Sequence, residues 1–479
     1  MSSSVMSGSA PRPDGTARTI LGSRGLLLAV LFVMLGNGMM NPLLGIRAEL
    51  EGFSTTATGT ILAFYYVGFL AGAWITRRLV TDVGHIRVYA ALASLASTST
   101  LIYILNASPA VWSLARLING FAMSGLFIVG ESWLNEAATN RTRGRMLAIY
   151  MVVLMGGLAA GQMLIVLGDP SGIALFIAAS ILVSIAVIPI TLSTSSAPTL
   201  VLPGKLPVAQ VWHAAPLGIF AAFSQGVGVA ALLTLGAVYG ARSGMSVERI
   251  ALFTSAAVVG SVVLQPAIGE LSDRLGRRRL ILGTGFVCAG ACLAMVHANP
   301  LGWLAMTISF LVGGLALSMY PLALSHINDR VPPGSAIGVS TVLSLAGGIG
   351  AVIGPVAGAQ VMDAAGPAGL YWFVGVVFLV TAMFSLFRIF TREGVPADRR
   401  RPFALIPARA GTVIVQMARR MRQPGERAAR DRPDGNRRAA GDMSAHARQL
   451  DGARRSGPSS PSRREQDRNR RGPGESSGR

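Results

Sequence analysis

The chain has 479 residues, of which 51% are hydrophobic and only 13% are charged, and its formal net charge is +20. A soluble protein of this length needs more charge to cover its surface, so the composition excludes an ordinary soluble globular protein. The segment 391–479 contains 22 arginines and 10 acidic residues and therefore supplies +12 of the net charge. Because the basic excess lies mostly outside the apolar body, we predict no nucleic-acid partner.

The chain begins with a polar segment rich in Ser, Gly and Pro. It has no cleavage pattern, so we predict a disordered cytoplasmic N-terminus at 1–24 and an uncleaved first span. Twelve apolar runs follow, each long enough to cross about 30 Å of hydrocarbon. They lie at 25–46, 57–76, 88–106, 109–134, 145–167, 171–192, 214–239, 249–268, 280–297, 300–325, 336–362 and 368–390. The sequence thus predicts an all-α membrane protein with twelve transmembrane helices.

The spans divide into two similar groups. Six fall within 25–192 and six within 213–390, and the polar segment 193–212, with three prolines, joins them as a cytoplasmic linker. Glycines recur between the groups at an offset of 191 to 193 residues, as Gly84 and Gly276 illustrate. Repeats of several helices are how many transporters build two bundles around a midplane site. We therefore predict two pseudo-symmetric six-helix bundles.

The loops between the spans carry a consistent charge bias. With the N-terminus in the cytoplasm, 16 of the 20 basic residues before residue 391 fall on the cytoplasmic side, and only Arg47, Arg242 and Arg249 fall outside. Cytoplasmic loops of membrane proteins carry the excess of Lys and Arg. We expect a multi-pass protein of the inner membrane with both termini in the cytoplasm.

The fourth span contains two polar side chains at unusual depth, Arg116 and Asn119. A charge inside hydrocarbon is costly and usually faces a cavity or a partner, although a long side chain can also snorkel to the interface. The stretch from Arg116 through Gly120 to Ser124 is similar to the R-x-x-x-G-x-x-x-G motif of the major facilitator superfamily. This resemblance implies a cavity-facing role for Arg116 in substrate binding or proton coupling.

Glu131, near the cytoplasmic end of the same span, is the only carboxylate inside any predicted span. Two interpretations stay open. It is either an ion-pair partner of the loop arginines Arg87, Arg143 or Arg145, or the protonatable group that couples transport to protons.

The loop after the eighth span has the sequence Gly-Glu-Leu-Ser-Asp-Arg-Leu-Gly-Arg-Arg-Arg, beginning at Gly269. Gly276 permits a tight turn and Gly269 a close helix contact. Asp273 can accept hydrogen bonds at a helix N-terminus. The segment resembles the G-x-L-a-D-r-x-G-r-r-r signature of the same superfamily with every defining position filled. The resemblance implies a conformational latch between the bundles that also includes Arg274 and Arg277; turn formation and orientation alone are the alternative.

The corresponding loop in the first half departs from this signature. When Gly84 is aligned with Gly276, Thr81 occupies the aspartate position and Asp82 lies one place late. Arg87 keeps part of the basic end. A latch here either lacks its usual carboxylate or uses Asp82 with shifted geometry.

Other polar side chains inside the spans are candidates for a central cavity. They are Asn37, Tyr65, Tyr66, Gln162, Gln225, Gln265 and Tyr320. Each is alternatively a hydrogen bond between helices. Their chemistry suits a neutral, amphipathic or weakly anionic solute. The absence of an acid in the first span, and Gln162 where antiporters of the superfamily carry a proline, argue against a drug antiporter.

These features predict a secondary active transporter of the bacterial sugar/drug-transporter-like branch, moving a small organic solute by alternating access, with proton coupling left open. The alternative is a non-transporting membrane sensor or scaffold with a transporter fold. The sequence shows no nucleophile–base pair, metal-ligand cluster or phosphate loop, so we predict no enzyme, cofactor or metal site. We expect a monomer whose partners are the solute, protons and the bilayer.

The Arg-rich segment 391–479 cannot bury enough apolar surface to fold, so we predict a disordered cytoplasmic tail. A short basic helix at 408–422 would contact anionic lipids of the inner leaflet. An extension without function is the alternative.

Overall fold

The computed structural model describes residues 23–137, 143–192, 208–331 and 336–391. The helices are α1 (Arg24–Leu50), α2 (Thr55–Val83), α3 (His85–Leu105), α4 (Pro109–Ala137), α5 (Arg143–Met163), α6 (Ala174–Ile185), α7 (Val187–Thr191), α8 (Val208–Ala214), α9 (Pro216–Arg242), α10 (Val247–Leu275), α11 (Arg277–His297), α12 (Trp303–Asn328), α13 (Ala336–Ala365) and α14 (Gly369–Thr391). A 3₁₀ turn, Leu164–Leu167, extends α5.

Within the described residues, 12 helical segments are long and apolar enough to cross a membrane. Helices α1–α5 are the first five, α6 and α7 together form the sixth, and α9–α14 are the remaining six. The predicted all-α architecture with twelve spans is confirmed. The predicted N-terminal segment, most of the linker and the tail with its basic helix lie outside the described residues.

The first three helices of each half form a closely matched frame. Helices α1 and α9 both have 27 residues, α2 and α10 both have 29, and α3 and α11 both have 21. Ser54 and Ser246 cap α2 and α10, each side chain accepting a hydrogen bond from the backbone N–H three residues later. Such a cap satisfies a backbone donor that the helix itself leaves unpaired. The pseudo-symmetry that the glycine offset predicted is therefore present in the helix bounds and caps.

Helices α2 and α10 run seven residues past the predicted span ends at 76 and 268. Charged residues end the apolar runs there, but charge does not end a helix. The helices stop at Gly84 and Gly276, whose φ angles are 94° and 93°. Side chains other than glycine rarely adopt this conformation, so the backbone leaves the helix at these two positions.

Small residues allow the closest helix contacts within each half. A Cβ atom added at Gly120 of α4 would lie 1.9 Å from the carbonyl oxygen of Tyr65 on α2. One added at Gly313 of α12 would lie 2.3 Å from the carbonyl oxygen of Ala257 on α10. The two glycines are repeat partners, and each permits the same helix pair to approach closely.

The halves meet at the end of the bundle where α1 ends and α2 begins, which we call the outer end. The end with the Gly84 and Gly276 turns is the inner end. Near the outer end, a Cβ atom at Gly59 of α2 would lie 2.5 Å from the carbonyl oxygen of Pro355 on α13. Ser255 of α10 donates a hydrogen bond of 3.1 Å to the carbonyl oxygen of Ala159 on α5. These contacts close the outer end between the halves.

Candidate functional site

A cavity of about 330 Å³ lies between the two halves. Its wall comes from α1, α2, α4 and α5 of the first half and from α9, α12 and α13 of the second. It extends from the middle of these helices to Arg77 and Glu131, which lie near the inner ends of α2 and α4. The volume and the mostly apolar wall with a few polar groups are typical of a small-molecule site.

Five of the predicted cavity residues line this wall: Asn37, Tyr66, Glu131, Gln225 and Tyr320. The two amides lie on α1 and α9, the first helix of each half. The hydroxyl of Tyr320 lies 3.4 Å from that of Ser344 on α13. The cavity thus offers amide and hydroxyl groups from both halves that can orient a bound solute.

Arg116 does not line the cavity. Its side chain is fully buried inside the first half, donates a hydrogen bond to the amide oxygen of Asn41 and stacks over Tyr65, with 5.1 Å from its guanidinium carbon to the ring centroid. Cation–π contact and an amide acceptor stabilise a charge that has left water. Arg116 therefore neither snorkels to the outer surface nor reaches the central cavity in this structure.

Four more predicted residues lie away from the cavity wall. Asn119 donates hydrogen bonds to the hydroxyl of Ser99 (3.2 Å) and the carbonyl of Ala96 (3.4 Å) on α3. Tyr65, Gln162 and Gln265 are buried but are not among the lining residues. For Asn119 the structure shows the contact between helices that was the alternative interpretation.

Arg77 is a cavity residue that is missing from the set predicted from the sequence. It lies on the wall with Glu131, whose side chain is only 1% exposed, and the two charges interact. On α2 the lining residues Tyr66, Leu70, Ala73 and Arg77 follow helical spacing, so they share one face. The predicted span ended at 76, one residue before this arginine. Extending the helical period past the apolar run would have found it.

At the inner turn of the second half, Arg277 is 3% exposed and makes three contacts. Its guanidinium lies 2.7 Å from Asp273 and 3.3 Å from Asp329, and it donates a hydrogen bond of 2.6 Å to the hydroxyl of Ser272. Asp329, whose side chain is 1% exposed, is the residue immediately after the end of α12. The motif thus ties the turn between α10 and α11 to α12 of the same half. Arg274 instead forms an exposed pair with Glu270.

The inner turn of the first half has the same backbone and different chemistry. His85 takes the place of Arg277 and is buried, 6.5 Å from Trp133 between ring centroids. The hydroxyl of Thr81 donates to the carbonyl of Arg77 in its own helix, at 3.0 Å. Asp82 and Arg87 are both exposed.

A polar cluster joins the halves at the outer end. Asp363 of α13 accepts hydrogen bonds from the backbone N–H of Thr56 (2.9 Å) and its hydroxyl (2.6 Å) on α2. Arg242 of α9 lies 3.6 Å from Asp363 and donates to the hydroxyl of Thr55. In the sequence, Arg242 stands out only as a charge outside the spans, because Asp363 lies 121 residues further along the chain and the two leave no local pattern.

Residues 26–344 and 219–424 match the profile of the Major Facilitator Superfamily. The chain belongs to the major facilitator superfamily. An uncharacterized MFS-type transporter of Enterobacter sp. (strain 638) is 28% identical over 347 residues, which is 71% of this chain and 88% of that protein. The uncharacterized MFS-type transporter YfkF of Bacillus subtilis (strain 168) is 27% identical over 360 residues, with 73% and 90% covered. This superfamily membership makes the chain a transporter.

Solved structures show the same fold. The nucleoside transporter NupG has a TM-score of 0.66 at 14% identity, covering 78% of this chain and all of that one. A bacterial homolog of the human lysosomal transporter Spinster, described as inward-facing and unoccupied, has a TM-score of 0.61 at 15% identity, covering 86% and 98%. At this identity the likeness concerns the superfamily fold alone.

Proposed function

We propose that this transporter moves a small, neutral or amphipathic organic solute across the inner membrane by alternating access, as a monomer. The observation that carries the proposal is the cavity of about 330 Å³ between two matched halves. The contacts at the outer end close it there, while its wall continues to the inner end. If the inner end closed and the outer end opened, a solute bound in the cavity would be released on the other side of the membrane.

The positive charge bias supports assigning the inner end to the cytoplasm. Arg77, Arg78 and the turn arginines Arg277, Arg278 and Arg279 all lie at that end. Cytoplasmic loops carry such residues because they resist translocation. The structure then corresponds to an inward-facing state, the state named for the Spinster homolog.

We assign proton coupling to Glu131. It is a buried carboxylate on the wall of the cavity, and it interacts with Arg77 on the facing helix. A proton on Glu131 would neutralise the carboxylate and remove this attraction. A solute that binds Arg77 in place of Glu131 would remove it as well. Proton and solute occupancy would therefore influence each other through one pair of side chains.

Flux into proteoliposomes tests both parts of the proposal. Purified protein is reconstituted and a panel of small organic solutes is offered with and without a pH gradient. We expect flux of at least one solute, accelerated by the gradient. In Glu131→Gln the acceleration should disappear, while Glu270→Gln, which changes an exposed inner-end carboxylate, should retain it.

Two results would count against the proposal in different ways. Gradient-driven uptake that persists in Glu131→Gln would reject the coupling role and leave a structural charge pair. No flux of any solute by a folded protein would favour the sensor or scaffold.

A further inference from the structure

The inner half of α2 has one apolar face turned away from the protein. Val67, Ala71 and Trp74 are exposed and follow helical spacing, and Trp74 is 67% exposed. In a membrane-spanning helix such a face contacts lipid. Trp74 also lies beside Arg78, with 4.6 Å from the guanidinium carbon to its ring. A tryptophan next to an arginine is typical of the membrane interface.

Helix α13 has a corresponding face. Leu345, Ile349 and Ile353 lie four residues apart and are 48%, 44% and 43% exposed. These three side chains share one lipid-facing side of the helix.

One residue of each lipid-facing series also lines the central cavity: Trp74 on α2 and Leu345 on α13. Between these helices, Gly348 meets Leu70, where an added Cβ atom would lie 2.3 Å from a Leu70 methyl carbon. Trp74 and Leu345 lie about one turn from this contact toward the inner end. The cavity wall therefore reaches the lipid-facing surface at Trp74 and Leu345, a place that we call the portal.

The opposite seam, between α5 and α10, is different. Leu154, Met155 and Leu158 of α5 line the cavity, but in the described part of the chain no residue of α10 does. The portal is thus a feature of one side of the molecule.

The cavity behind the portal has an apolar end and a polar end. Phe69, Phe127 and Leu158 are part of its apolar wall. Toward the inner end, Arg77 lies about one turn beyond Trp74 on α2, and Glu131 lies about one turn beyond Phe127 on α4. The two opposite charges sum to about zero, so they suit a neutral or zwitterionic group. A volume of about 330 Å³ is at the low end for drug-sized ligands, which leaves room for one apolar body.

We infer that the solute is a single-chain amphiphile with a neutral or zwitterionic head group, and that it enters from the inner leaflet through the portal. This inference rests on the proposed transport function. The apolar chain would pass between Trp74 and Leu345 and lie against the apolar wall of the cavity. The head group would stay at interfacial depth, beside Arg77 and Glu131.

Photolabelling in liposomes tests the inference. The probe is lysophosphatidylcholine with a diazirine at the end of its chain, and labelled residues are located by mass spectrometry. We expect labelling of Leu158, a cavity residue on α5 far from the inner end, and its loss with excess unlabelled lysophosphatidylcholine but not with glycerophosphocholine. Leu345→Trp should reduce this labelling at least about fivefold, as a loss of roughly 1 kcal/mol implies. Ile349→Trp, one turn away and outside the cavity wall, should leave it unchanged.

Three results would overturn the inference: no label on Leu158 in the wild type, equal labelling in Leu345→Trp, or equal labelling by a diacyl phosphatidylcholine probe. Label on lipid-facing Ile353 checks that each variant is folded in the bilayer. Flux of a water-soluble solute without label on Leu158 would keep the transport function and reject the portal. Label on Leu158 without flux of the amphiphile would keep the binding site and reject transport.

Discussion

The two halves of this transporter share a helical frame and differ in where they place their charges. At the inner turn of the second half, Arg277 is buried between Asp273 and Asp329. The first half has His85 at that place, and its buried carboxylate, Glu131, lies instead on the wall of the central cavity. The serine caps and the turn glycines keep the helix bounds the same in both halves, so the side chains can differ without changing the helices. The second half thus uses buried charges to anchor a turn, whereas the first half places its buried carboxylate on the cavity wall.

The largest effect is expected from Asp329→Ala. It removes one partner of an arginine that is only 3% exposed, and a broken buried pair typically costs 3–5 kcal/mol. Since Asp273 remains, we expect a loss of about 3 kcal/mol in the free energy of unfolding. Denaturant unfolding in detergent micelles measures it. Glu270→Ala breaks a pair whose side chains are 72% and 69% exposed, and should cost less than about 0.5 kcal/mol. Equal losses in the two variants would contradict the anchoring role.

The turn glycines should show that the frame is common to both halves. Gly84 and Gly276 have φ angles of 94° and 93° with ψ angles of 157° and 146°, and nothing lies within 4 Å of an added Cβ atom at Gly84. Alanine at either position meets backbone strain, which costs on the order of 1–3 kcal/mol. We expect Gly84→Ala and Gly276→Ala to destabilise the protein equally, by about 2 kcal/mol in unfolding experiments. A cost at only one glycine would show that the halves differ in backbone as well.

The smallest effects are expected when the residues at the aspartate position of the turn motif, Asp273 and Thr81, are exchanged between the halves. Asp273→Thr removes a half-exposed partner of Arg277 and should cost about 1 kcal/mol. Thr81→Asp adds a carboxylate at an exposed position next to a turn that lacks the arginine, so it should change stability by no more than about 0.5 kcal/mol. Thermal unfolding of the two variants beside the wild type measures both. A clear gain from Thr81→Asp would mean that the first half retains a functional latch site.

Much of the fold could be predicted because its signals are local. Apolar runs of span length, the charges of the short loops and the glycines that recur from one half to the next can all be read along the chain without knowing which helices touch, and they predicted twelve spans in two halves. The helix ends were less accurate at α2 and α10, because the end is decided by glycine conformation and not by hydropathy. That error removed Arg77 from the predicted cavity.

The sequence by itself determined the spans, their division into two halves and the turns at Gly84 and Gly276, since these depend on hydrophobicity and backbone preferences of nearby residues. Only the tertiary structure decided which polar side chains share a cavity. Asn37 and Gln225 meet there from helices of different halves, whereas Arg116 packs inside one half against Asn41 and Tyr65. A polar residue in a span carries the same local pattern in both cases. Its role depends on which way its helix faces, and packing against distant helices sets that direction.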